Sequence, residues 1–129
     1  MSKPRDVRAR AEKKTKSARS LAVSDGFRSF VLDQLDGLGD VTPRAMFGGV
    51  GLYCGGVFFG ILARDKLFLK VGDSNRADYD AHGMEAFRPY PGRSGTMKYF
   101  EVPLEILESP IDLIAWARKS IAVAARSQA

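Results

Sequence analysis

Between Arg44 and Val71 the chain divides into apolar, β-prone runs too short for helices, separated by glycines or charged residues. The runs are Met46-Phe47, Val50 to Cys54, Val57 to Ala63 and Leu67 to Val71. Gly55-Gly56 lies between two of them and is a two-residue hairpin signal, because glycine accepts the positive φ of the primed turns. Arg64-Asp65-Lys66 supplies a polar tip for a second hairpin, after which Leu67, Leu69 and Val71 alternate with Phe68 and Lys70. The pattern predicts a three-stranded antiparallel meander. Gly48, Gly49 and Gly51 are expected to let its first strand bulge or bend.

Helical signals flank this segment. Ser24 is placed to cap a first helix, with Asp25 in the first turn where the dipole favours negative charge. Phe27, Phe30, Val31, Gln34, Leu35 and Leu38 form its apolar stripe, Gly37 and Gly39 end it, and Pro43 forbids its continuation. Asp73 or Ser74 is the expected cap of a short helix through Ala81, with Tyr79 as core anchor and Gly83 closing it in the left-handed position. Phe87 to Tyr90 and Thr96 to Val102 read as two more strands around the turn-rich stretch from Pro91 to Gly95, and Pro103 stops the sheet. Ser109-Pro110 begins a last helix whose buried stripe is expected to be Ile111, Ile114, Ala117, Ile121 and Ala125, widened by Leu113 and Trp116. The order is α–β–β–β–α–β–β–α. No strand-helix-strand unit repeats, so the fold class is α+β with a five-stranded antiparallel sheet.

At 129 residues and 45% hydrophobic, the chain has the size of one domain and enough apolar mass for a core. Its net charge of +5 is unevenly placed. Residues 1–20 carry Lys3, Arg5, Arg8, Arg10, Lys13, Lys14, Lys16 and Arg19 against Asp6 and Glu12, while residues 21–129 carry twelve basic and thirteen acidic groups. The chain therefore divides into a basic, mobile arm over 1–20 and a single, nearly neutral domain over 21–129. The arm has no aromatic residue for base stacking, so weak, non-specific nucleic-acid contact is the most it offers alone. Only Leu21-Ala22-Val23 follows it, which is too short for a secretory signal. No apolar run is long enough to span a membrane. One cysteine excludes an intramolecular disulfide and fits a reducing compartment, so a cytoplasmic location is expected. One cysteine with one histidine also excludes the usual zinc sites, and no metal or cofactor is expected.

No catalytic constellation emerges. Cys54 and His82 have no spacing that makes them a thiolate pair, and Cys54 reads as a small hydrophobe. The glycines from Gly48 to Gly60 precede neither Gly-Lys-Ser/Thr nor a helix, so they read as turn glycines and not as a phosphate loop. Asp78 and Asp80, two apart on a helix, point in different directions, and Glu101, Glu105 and Glu108 read as solvated. Arg44, Lys70, Tyr90, Lys98 and Tyr99 fall on or beside strands, where alternation can present them on one sheet face. A sheet covered by helices on one side leaves the other to solvent or a partner, and these five residues are the candidate ligand or partner surface.

The segment Arg44-Ala45-Met46-Phe47-Gly48-Gly49-Val50-Gly51-Leu52-Tyr53, followed by Gly56-Val57-Phe58-Phe59-Gly60 and Leu67-Phe68-Leu69-Lys70-Val71, resembles the core signature of the TfoX N-terminal domain family. Tyr79 with Gly83, Phe87 to Tyr90, Met97-Lys98-Tyr99, Val102-Pro103, and Leu113 with Trp116-Ala117 extend the likeness from about Ser24 to Ala125. The family takes its name from a positive transcriptional regulator of bacterial competence. The resemblance implies an α+β fold of secretion-chaperone-like layout, no enzyme activity and no catalytic residues. It makes a regulatory or interaction domain the first expectation, acting through an unidentified protein partner or through pairing of two copies at a sheet edge. A small-molecule or phosphate-ligand domain and auxiliary DNA contact through the arm are the alternatives.

Overall fold

The computed structural model describes residues 21–89 and 98–128. The arm over 1–20, Tyr90, the turn 91–95 and the start of the last expected strand lie outside the described residues. Helix α1 (Asp25–Gln34) is followed by a short 3₁₀ turn and four consecutive strands, β1 (Val41–Met46), β2 (Gly49–Cys54), β3 (Val57–Ala63) and β4 (Lys66–Lys70). Helix α2 (Arg76–Asp80), strand β5 (Tyr99–Glu101), one-turn helix α3 (Leu104–Leu107) and long helix α4 (Pro110–Gln128) complete the order. The sheet has five strands in sequence order, every neighbouring pair antiparallel. The α+β class and five-stranded antiparallel sheet agree with the sequence expectation.

The partition differs in detail. Four strands precede α2, because β1 starts at Val41 and runs through Pro43. Pro43 ends helical structure as expected, yet an edge strand tolerates it. The Phe87 stretch adds a single bridge, Ala86 to Phe100, in place of a full strand.

Three two-residue turns build the meander. Phe47-Gly48, Arg64-Asp65 and Gly55-Gly56 all have positive φ at both positions, the backbone twist that matches flanking strands. The sheet separates two apolar clusters. The larger packs Val31 and Leu35 of α1 and Leu113, Ala117 and Ala124 of α4 against Leu52, Phe59, Leu62, Leu67, Leu69 and Phe100. On the opposite face Leu21, Ile61, Ala63, Phe68, Phe87 and Tyr99 form a smaller cluster with Phe58 against it.

The bulge is not in the first strand. Tyr53 pairs with Phe58 while Leu52 pairs with Gly60, which leaves Phe59 as the extra residue of β3. That insertion reverses the side-chain alternation within β3. Phe59 and Leu62 face the main core, while Phe58 joins Ile61 and Ala63 on the other face.

Caps follow the sequence at two of the three helices it predicts. Ser24 Oγ accepts from Phe27 N at 3.1 Å, and Ser109 Oγ accepts from Asp112 N at 3.3 Å. At α2 the residue preceding the helix is Asn75, not Asp73 or Ser74. Its buried amide is committed to the loop instead: Oδ1 accepts from Gly72 N at 2.8 Å and Nδ2 donates to the Lys70 carbonyl at 3.1 Å. Gly83 closes the segment at φ 66°, and Tyr79 is buried.

Three stripe positions need correction. Phe30 is exposed, because it lies about 100° around α1 from Val31, at the flank of the buried arc. In α4 Ile111 and Ala125 are exposed, and the buried line runs Leu113, Ala117, Ser120, Ala124. Small residues let α4 approach the sheet closely, and Ser120 enters that line because its Oγ donates to the Lys70 carbonyl at 2.7 Å.

Candidate functional site

Each strand contributes one side chain to a continuous row on the face opposite α1 and α4. Arg44 of β1 holds its guanidinium 5.5 Å from the ring centre of Tyr53 on β2. Tyr53 stacks on Phe58 of β3 at 5.1 Å and 26°, and Phe58 meets Tyr99 of β5 at 5.4 Å. Lys70 of β4 places its ammonium 5.2 Å from the Tyr99 ring. One cation thus lies against the Tyr53 ring and another against the Tyr99 ring, and the ring quadrupole attracts each of them.

Local sequence explains the row. The Gly55-Gly56 turn fixes Tyr53 opposite Phe58, and the Phe59 bulge turns Phe58 to the correct face. Gly51 lies on that face between Arg44 and Tyr53, and a methyl group there would come within 2.8 Å of the Met46 sulfur and 3.2 Å of the Phe58 ring. Its missing side chain leaves room for the rings. Burial pushes the Tyr99 phenol up to about 12, with the nearby Tyr53 phenol adding to the shift. Tyr99 therefore stays neutral across the physiological range.

Of the five residues expected on one surface, Arg44, Lys70 and Tyr99 belong to this row. Lys98 is exposed just before β5, where its carbonyl accepts from Val71 N at 2.9 Å, and no row contact involves it. Tyr90 lies outside the described residues. Tyr53 and Phe58 were missed, although the pairing implied by Gly55-Gly56 was a usable signal for them.

Phe47 was also missed. It occupies the first position of the β1–β2 turn at φ 48° and is 79% exposed. A non-glycine aromatic in the left-handed region is uncommon, and here no burial offsets it.

The other candidates take structural places. Cys54 packs against the main core, whereas His82 is exposed, with Nε2 3.3 Å from Glu105 and its ring edge-on to Trp116. Asp78 pairs with Lys119 at 2.9 Å, Asp80 with Arg76 at 3.1 Å, and Glu101 with Lys66 at 3.7 Å. Among the described residues no group of three or more His, Cys, Asp or Glu is placed to hold a metal ion, and no helix is long and apolar enough to cross a membrane. Clefts of about 340 and 160 Å³ are lined near Gly72 with Arg126 and near Phe68 with Arg88, and the row residues line neither.

No curated protein matches the chain. The model of the TfoX N-terminal domain matches residues 33–124, which spans β1 through most of α4 and includes both the Phe47 turn and every member of the row. The chain belongs to the TfoX N-terminal domain family.

Proposed function

We propose that this chain is a non-catalytic regulatory domain of the competence-regulator type, which works by docking the tip of its β1–β2 hairpin into a protein partner. Phe47 carries the reading. Holding an L-residue in the left-handed region costs about 1–2 kcal/mol. Leaving a phenylalanine in water forgoes about 1.5–3 kcal/mol of burial. Both costs fall on one residue at 79% exposure, and the fold recovers neither. An aromatic anchor of this kind contributes most when a partner pocket receives it. Family membership supports the regulatory part of the reading.

The sheet edges support a partner at the tip over pairing of two copies along an edge. Met46 and Gly49 close a two-residue turn, so backbone alternation directs Val41, Pro43 and Ala45 outward from β1. Val41 N already donates to Gly39 O at 2.7 Å, and Pro43 has no N–H. At the far edge, Phe87 N donates to Tyr99 O at 2.7 Å and Glu101 N to Glu85 O at 3.1 Å. Both edges are blunted in the ways that discourage strand addition.

A photo-crosslinking residue at position 47 of the full chain, expressed in its own host, tests the reading. One discrete protein adduct from position 47, absent from the exposed position 115 on α4, is expected. No adduct at 47, or the same adduct from both positions, overturns it.

A further inference from the structure

Resting on the docking reading of Phe47, we infer that Arg44 reads charge for that tip, and that the protein partner places a carboxylate beside the pocket that takes the ring. Arg44 and Met46 share one face of β1, about 7 Å apart along the strand, and Phe47 follows directly in the turn. Met46 is half-buried on that face, where a methyl group on Gly51 would meet both its sulfur, at 2.8 Å, and the Tyr53 ring, at 3.4 Å. The surface from Phe47 across Met46 to Arg44 is therefore apolar at the turn and cationic on the strand.

The Arg44 guanidinium is held but not paired. It lies 5.5 Å from the centre of the Tyr53 ring, which Phe58 stacks against at 5.1 Å. Its cross-strand neighbour is Gly51, which offers no side chain. Among the described residues no carboxylate lies within ion-pairing distance of Arg44, whereas Lys66, Arg76 and Lys119 each have one. A guanidinium resting on a ring keeps its N–H edge open, and that edge fits a carboxylate through two parallel hydrogen bonds. A side chain already ordered in this way loses less freedom on binding.

The surrounding charge favours an acidic partner. From Val41 to Gly72 the chain carries Arg44, Arg64, Lys66 and Lys70 against Asp65, which is engaged in accepting from Ser24 N at 2.7 Å. Lys66 is answered by Glu101. Arg64 stands in the β3–β4 turn, at the same end of the sheet as Phe47, and donates to the Arg88 and Pro89 carbonyls at 3.4 and 3.2 Å. Those neutral acceptors leave its charge uncancelled. On α1 the balance reverses, with Asp25 and Asp33 against Arg28. An acidic protein surface is thus steered toward the tip and away from α1. A nucleic-acid phosphate would also suit the guanidinium, but a base could reach the Tyr53 ring only by displacing Arg44 or Phe58.

Photo-crosslinking from position 47 of the full chain, in extract of its own host, tests the inference. Raising sodium chloride from about 50 to about 500 mM should lower the adduct yield about fivefold or more. At low salt Arg44→Gln should lower it about fivefold and Arg44→Glu about tenfold or more, with Arg44→Lys recovering part of the yield. Arg118→Glu, at an exposed position of α4, should leave the adduct unchanged, as should nuclease treatment of the extract. An adduct indifferent to salt or to Arg44→Glu, or one lost on nuclease treatment, overturns the inference. Far-ultraviolet circular dichroism checks that the variants are folded, and the salt series on the parent chain decides where they are not. No adduct from the parent chain fells the docking reading itself, which separates the two failures.

Discussion

Phe47 makes opposite demands on stability and binding. Phe47→Gly removes a left-handed L-residue and an exposed ring at once. Thermal denaturation should show a gain of about 1 kcal/mol, since the strain released exceeds the extra entropy glycine brings to the unfolded chain. The crosslinked adduct should vanish in the same variant when the photo-reactive group is placed at the neighbouring Met46. The phenols make a second prediction at this scale. Burial raises Tyr79 well above its usual range, with the Asp78 charge assisting and the nearby Ser120 hydroxyl opposing, and it raises Tyr99 to about 12. Unfolded tyrosine ionises near 10, so above that pH the unfolded state holds fewer protons than the native one and stability falls as pH rises. Ultraviolet titration should find the Tyr79 and Tyr99 phenols still largely neutral at pH 11. The urea midpoint should fall as pH rises from about 10 to about 12.

At the scale of elements, the junction between β4 and α4 rests on one carbonyl. Lys70 O accepts from Ser120 Oγ at 2.7 Å and from Asn75 Nδ2 at 3.1 Å, all beneath buried side chains. Ser120→Ala leaves that carbonyl one donor and should cost about 1 kcal/mol in urea unfolding. Asn75→Ala removes two hydrogen bonds and strands Gly72 N, so about 2–3 kcal/mol is expected. Gly51→Ala probes the row from below. The added methyl meets the flexible Met46 thioether and the stiffer Phe58 ring, and a loss of about 1–3 kcal/mol is expected. The near-ultraviolet circular dichroism of the stacked rings should change with it, and an unaltered spectrum would show that the rings are not held by that contact.

For the whole molecule, Pro43 guards the open edge. Its missing N–H falls on the outward side of β1, between Val41, already bonded to Gly39, and Ala45. Pro43→Val restores a donor at the centre of that edge while keeping β-propensity. Size-exclusion chromatography should show dimers or larger species for this variant at concentrations where the parent chain elutes unchanged. Identical elution of the two would mean the edge is protected by something other than the proline.

Much of the meander was legible because its determinants are local. Gly55-Gly56 sets a turn by its own conformational freedom, Ser24 and Ser109 cap helices within three residues, and Gly83 closes its segment unaided. These features need only neighbours along the chain, and they are what the sequence determined. The phase of α4 was not legible, because Ser120 enters the buried line only when the Lys70 carbonyl, fifty residues away, receives its hydroxyl. The row was half legible. Arg44, Lys70 and Tyr99 could be placed on strands, but strict alternation would send Phe58 to the same face as Leu62. The extra residue at Phe59 decides otherwise, and whether β3 bulges there depends on fitting two partner strands and two apolar clusters at once. Only the assembled sheet fixes that register, because no pair of neighbouring residues contains the information.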